Sequence, residues 1–216
     1  MERKKSLRYS KTNVSVFVIV LFHIVGLTGF LVPFLRPLFL QVVPFHLLLM
    51  LFLLLINHHG RFSKLILFAA IVMLSGFAAE WVGVHKHWLF GNYVYGKTLG
   101  FKLKDIPLMI GVNWFLLIYS TGVFIKKVPV KEAWLKIVIG SILLVLLDLL
   151  IEPVAIHFDY WHWLSGFVPI KNYIGWVLVS LPLLAVFQLF DFRFQNKVAP
   201  VLLLVQFLFF AVLNFV

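Results

Sequence analysis

The sequence predicts an all-α, polytopic membrane helix bundle of about seven transmembrane helices, with the N-terminus inside and the C-terminus outside. Three observations predict it. First, 62% of the 216 residues are hydrophobic and only 12% are charged, against roughly 25% charged in soluble domains. Second, the apolar residues fall into seven runs near the length of about 20 that crosses a bilayer. Third, Lys and Arg gather in alternate connections, the asymmetry that sets membrane orientation. We find no internal repeat, low-complexity tract or domain linker, so residues 1–216 read as a single integral membrane domain.

The runs justify themselves in order. They cover 13–34, 37–56, 62–84, 106–125, 133–152, 173–190 and 198–216. The basic start, "MERKKSLRYSKTN", resembles a signal peptide, but the stretch after it is too long for an h-region and lacks a small-residue cleavage site. It is expected to remain as the first helix. "LRP", "NHHGR", "KKVPVKE" and "DFRFQNK" punctuate the first, second, fourth and sixth runs. Pro37 and Pro129 mark boundaries, because the residue before a proline is pushed out of the helical region. The N-terminal side holds Arg3, Lys4, Lys5, Arg8, Lys11, Arg61, Lys64, Lys126, Lys127, Lys131, Lys136, Arg193 and Lys197. These are 13 of the 19 bases, which predicts that side inside and a multi-pass protein of the cell membrane.

Composition also excludes functions. With no cysteine there are no disulfides, iron–sulfur clusters or thiolate zinc sites. The net charge of +11 would suggest nucleic acid in a soluble chain. Here the bases sit in short loops, so no nucleic-acid partner is expected; the lipid bilayer is.

Eight acidic residues remain to be placed. Glu2, Asp105, Glu132 and Asp191 fall at water-facing ends. Asp148 and Glu152, in "DLLIEP", are four apart and share a helix face. Paired carboxylates repel, so at least one of them is expected to hold a proton; Pro153 is expected to end that helix. Glu80 lies 18 residues into the third run, counted from Phe62; Asp148 and Glu152 lie 15 and 19 into the fifth, counted from Ala133. At about 1.5 Å per residue the three acids reach similar depths near the outer face. No Lys or Arg lies at that depth in these runs, which disfavours a purely ionic structural role.

Aromatics crowd the same end: Trp81, Trp88, Phe90, Tyr93, Tyr95, Trp114, Tyr160, Trp161, Trp163, Tyr173 and Trp176. An interfacial belt explains many of them. A cluster around acids also suits a site that stabilises a cation through π faces. Asn113, Asn172 and Ser180 fall near the same outer level or just inside it and are candidates to hydrogen-bond the acids. His23 and His46 fall mid-run, as neutral bundle histidines or as bis-axial haem ligands. His58 and His59 read as solvated, and "HKH" at 85–87 is a poor metal site because Lys86 opposes a cation. His157 and His162 neighbour Asp159 and are weak candidates for proton handling.

Four segments in order, "EWVGVHKHWLFGNYVYGKTLG", "IPLMIGVNW", "DLLIEPVAIHFDYWHW" and "NYIGWVLVS", resemble the bacterial and archaeal carotenoid biosynthesis family of membrane proteins. That family includes the carotenoid 1,2-hydratases and bisanhydrobacterioruberin hydratase. The resemblance covers roughly residues 75–180. It places the family's acidic-Trp-x-Gly element on Glu80, Trp81 and Gly83, and its Phe-Gly-x-Tyr-x-Tyr element on Phe90, Gly91, Tyr93 and Tyr95. Its Asp and acidic-Pro pair falls on Asp148, Glu152 and Pro153, with Glu where Asp is expected. Its Tyr-Trp and Asn-x-x-Gly-Trp elements fall on Tyr160 and Trp161 and on Asn172, Gly175 and Trp176.

The resemblance implies a cofactor-independent, metal-free hydratase acting on a lycopene- or γ-carotene-like substrate beside other carotenoid-pathway enzymes. Glu80, Asp148 and Glu152 would be catalytic. Trp81, Phe90, Tyr93, Tyr95, Trp114, Tyr160, Trp161, Asn172 and Trp176 would bind substrate. Two alternatives stay open. A carotenoid cyclase would use the same protonation, with an alkene rather than water capturing the cation. The other is a non-enzymatic membrane carrier or binding protein, of which a carrier would favour polar groups near the midplane and broken helices.

Overall fold

Ser10 caps the first helix by accepting the Asn13 N–H at 3.2 Å, and α1 runs from Lys11 to Leu31. In the computed structural model, which describes residues 10–192 and 196–215, six more helices follow. They are α2 (Arg36–Ile56), α3 (Phe62–Lys86), α4 (Met109–Ile125), α5 (Ala133–His157), α6 (Ile170–Phe190) and α7 (Ala199–Leu213). Glu2, Arg3, Lys4, Lys5, Arg8 and Arg193 lie outside the described residues. The all-helical polytopic bundle expected from the apolar runs is therefore present. Five helices, of 21 or 25 residues, are long and apolar enough to span a membrane; at about 1.5 Å per residue they cover its roughly 30 Å core.

The two shorter helices fare differently. α4 has 17 residues, 14 of them buried. It packs against α2, α3, α5, α6 and α7, so an apolar surface on every side is what its position requires. α7, with 15 residues, packs on α1, α4 and α5.

Pro153 does not end α5, contrary to the expectation. The helix passes through it to His157. Stopping there would leave four carbonyls unpaired in an apolar medium, whereas passing through forfeits one bond. Conversely, the fourth run does not begin as helix at residue 106. Ile106–Pro107 (β3) pairs antiparallel with Lys102–Leu103 (β2) instead, and Pro107 holds Ile106 in extended backbone.

A second strand pair covers one end of the bundle. Tyr93–Tyr95 (β1) runs antiparallel to Trp161–Trp163 (β4), with Tyr93 opposite Trp163 and Tyr95 opposite Trp161. Successive strand residues alternate faces. Tyr93, Tyr95, Trp161 and Trp163 therefore share one face, while Val94 and His162 take the other. Gly96 allows the close approach of the two loops: a Cβ there would lie 2.0 Å from the Asp159 carbonyl oxygen. Thr98 Oγ1 donates to Phe158 O at 2.7 Å, and the Lys97 N–H donates to Asp159 Oδ2 at 3.1 Å.

Candidate active site

Glu80, one turn and a half from the end of α3, is buried beneath β1. Its carboxyl accepts three hydrogen bonds. Tyr93 and Tyr95 donate to Oε2 at 2.5 and 2.7 Å, and Trp114 Nε1 of α4 donates to Oε1 at 3.0 Å. Glu152 of α5 is surrounded in the same way. Trp161 and Trp163 of β4 donate to its Oε2 at 3.1 and 2.8 Å, and Asn172 donates to its Oε1 at 2.9 Å. The two strands thus serve the two acids separately, tyrosines to Glu80 and tryptophans to Glu152.

Asp148 lies one turn from Glu152 and is 0% exposed. Asn172, in the first turn of α6, gives its second amide hydrogen to Asp148 Oδ2 at 2.7 Å. Asp148 Oδ1 is buried without a partner. Asn172 therefore bridges the two acids and spends both amide hydrogens doing so. Burial, then the adjoining Glu80 charge, hold the Tyr93 and Tyr95 phenols well above their ordinary value of 10.0. Both stay protonated donors.

A cavity of 30 Å³ lies between these groups, with Glu80, Glu152, Phe90, Tyr93, Tyr95, Trp114, Trp161, Asn172 and Trp176 in its wall. The Trp114 and Trp176 rings pack at 4.7 Å between centroids. Gly76 makes room for this: a Cβ there would lie 2.5 Å from Trp114. Ile110, Asn113, Ile151 and Trp161 also line a second, apolar cavity of 590 Å³ between α1, α2, α4, α5 and α7. Its wall includes Phe22 and Val25 of α1 and Leu38, Val42 and Phe45 of α2, all exposed on the outside of the bundle. The large cavity thus opens sideways, where lipid would lie.

A model of the carotenoid biosynthesis protein family matches residues 38–216. The chain belongs to the carotenoid biosynthesis family. A bisanhydrobacterioruberin hydratase from Haloarcula japonica is 30% identical over 131 residues, covering 57% of this chain and 43% of that protein. The chain thus spans less than half the length of that relative. No solved structure matches. The part matched by the family model contains every acid and aromatic residue of the small cavity.

Not every residue expected at the site is brought there. Asp148 lies behind Glu152 and lines neither cavity. Trp81 points away, stacked on His85 at 5.1 Å. Tyr160 lines the large cavity only. Ser180 does not reach the acids; it pairs with Ser141 at 2.7 Å, deeper between α5 and α6. Asn113 makes no hydrogen bond to them and faces both cavities. His58 is not simply solvated, for its Nδ1 meets the buried Tyr119 hydroxyl at 2.9 Å. His162 bonds Asp159 at 2.6 Å on the outer face of the strand pair. Burial works against the Asp159 charge, but the bonds from His162 and Lys97 outweigh it and hold its carboxyl below the usual range. Trp163 is the residue the sequence reading left out of the site. The alternation in "WHW", matching "YVY", carried the signal.

The His23 and His46 rings meet edge to face at 4.7 Å. That contact leaves no gap for a macrocycle between them, so bis-axial haem ligation does not fit.

Proposed function

We propose that this member of the carotenoid biosynthesis family is a hydratase that adds water across a terminal C1=C2 double bond of a carotene. One observation carries the reading. A small polar cavity with two carboxyls in its wall adjoins a large apolar cavity open to the side. At 30 Å³ the small cavity has room for a water. The large one suits a hydrocarbon chain entering from the bilayer.

The chemistry needs an acid, a base and a shielded cation. Among the described residues no Lys or Arg bonds to Glu80, Asp148 or Glu152. Three negative charges without a cation would repel strongly, so the set stores a proton. One carboxylic acid in the small cavity gives that proton to C2, and the π electrons form the new C2–H bond. The tertiary cation left at C1 faces the Trp114 and Trp176 rings, whose π systems attract positive charge. A water lone pair then forms the C1–O bond, and the second carboxylate takes the released proton. The sum is one alkene plus one water giving a tertiary alcohol, with the enzyme's proton restored. Glu80 and Glu152 are the pair in contact with the reacting atoms, and Asp148 positions Glu152 through Asn172. The fixed donors around both acids need no reorganisation during the reaction.

Expression in a lycopene-producing host, followed by pigment chromatography and mass spectrometry, tests the reading. A more polar product heavier by one water is expected. A cyclic isomer of unchanged mass would assign the cyclase reaction instead. In the same host the protein is expected in the cell membrane with its N-terminus inside, beside the enzymes that make its substrate.

A further inference from the structure

The small and the large cavity share one stretch of wall, made by Ile110 and Asn113 of α4, Ile151 of α5 and Trp161 of β4. Ile110 and Ile151 are hydrocarbon. Trp161 spends its single N–H on Glu152 Oε2 at 3.1 Å. Asn113 is the polar side chain of that wall left uncommitted, for among the described residues its amide makes no hydrogen bond. Nor is it shut away. Asn113 is only part-buried, and its amide atoms are not among the sealed polar atoms such as Asp148 Oδ1. Its place on α4 is tied to the acid site, because the next residue, Trp114, donates to Glu80 Oε1 at 3.0 Å.

On the hydratase reading the hydrocarbon chain occupies the large cavity and water the small one, so C1 and the water meet at this shared wall. A water that attacks the cation must keep a lone pair aimed at C1. Both of its hydrogens then need acceptors, and a held water needs more than one polar partner. The carboxylate that acts as base takes one hydrogen. Both cavity carboxyls lie on the small-cavity side, and on the shared wall the uncommitted acceptor is Asn113 Oδ1. We infer that Asn113 receives the other hydrogen, turns the lone pair towards C1, and so selects water capture as the fate of the cation. The lone pair forms the C1–O bond, the O–H bond facing the carboxylate breaks, and the hydrogen held by Asn113 stays on the product hydroxyl. Without that acceptor the cation returns a proton from C2 to the carboxylate and re-forms the C1=C2 bond. The inference rests on the hydratase reading and adds to it the residue that selects the outcome.

The test counts two fates of one cation. Membranes containing the protein are given lycopene in deuterium oxide, and the pigments are separated and analysed by mass spectrometry. The acid then delivers deuterium to C2, so hydrated product and returned alkene both carry the label. Asn113→Leu removes the amide at similar volume. It should raise the ratio of labelled alkene to hydrated product by about tenfold, the scale of one hydrogen bond. Asn113→Val serves if that variant does not accumulate. A side chain that only holds α4 in place would lower both labelled species together and leave the ratio unmoved. That result, or undiminished hydration in the variant, would overturn the inference and leave the hydratase standing. A parent protein that forms no hydrated product would sink the hydratase reading and this inference with it.

Discussion

Glu80 and Glu152 each accept three donors, while Asp148 accepts one and keeps an unpartnered oxygen. That difference ranks the acids. Glu80→Gln and Glu152→Gln preserve shape and remove the carboxyl proposed to transfer the proton. Each should lower conversion by about 100-fold or more, the usual scale of general acid–base catalysis, while the protein still accumulates in membranes. Asp148→Asn should cost less, because Asp148 touches neither cavity. Comparable losses in all three variants would contradict the ranking. Trp163→Phe removes one donor from Glu152 and keeps the ring. It should cost about tenfold in turnover, in line with about 1.5 kcal/mol for one bond to a charged group. The raised Tyr93 and Tyr95 phenols carry a sign that can be checked. A folded value above the unfolded one means that the folded state holds the proton longer. Their contribution is then complete below pH about 10 and fades as pH climbs past it. Denaturation in detergent at rising alkaline pH should show that loss, and a Tyr93→Phe, Tyr95→Phe double variant should show less of it.

The strand pair β1–β4 is the element that assembles the site. Each strand reaches one acid; paired, they aim two phenols and two indoles from one face into the helix bundle. Three residues of register on each strand hold this alignment, and a shift of one strand by one residue would turn that strand's two aromatic side chains outward. Gly96 fixes the closeness of the loops. In Gly96→Ala the added methyl would meet the Asp159 backbone carbonyl, at 2.0 Å, as well as its side-chain carboxyl. Loss of activity together with a drop in melting temperature of several degrees is expected. Retention of both would show that the loops are not held by this contact. The proline inside α5 makes a related point. In an apolar medium a helix with one missing bond is cheaper than two helix ends, so a sequence rule drawn from soluble proteins placed the boundary of α5 five residues early.

At the scale of the whole molecule, a short buried helix lies at the centre, with acids at one end and a side opening between α1 and α2. Gly26 sits in the wall of the large cavity, where a Cβ would lie 3.4 Å from the Phe209 ring. Gly26→Leu should fill part of that space and weaken pigment binding by about tenfold or more with little change in melting temperature. An unchanged affinity would place the ligand elsewhere. The helices were legible in the sequence because hydropathy and length act locally: about 20 apolar residues in a row have few other fates. Glu80, Asp148 and Glu152 were legible for a related reason, since a carboxyl in such a run is costly enough to stand out. Trp163 was not selected because its role depends on pairing with Tyr93, a partner 70 positions away. The sequence by itself thus determined the membrane class, the helix count and the acids. Only the tertiary structure decided which acids share a cavity, which donors each receives, and that the cavity adjoins a chamber open to the side. Hydropathy is a sum over neighbouring residues, whereas a site is made by groups that meet only when distant segments pack.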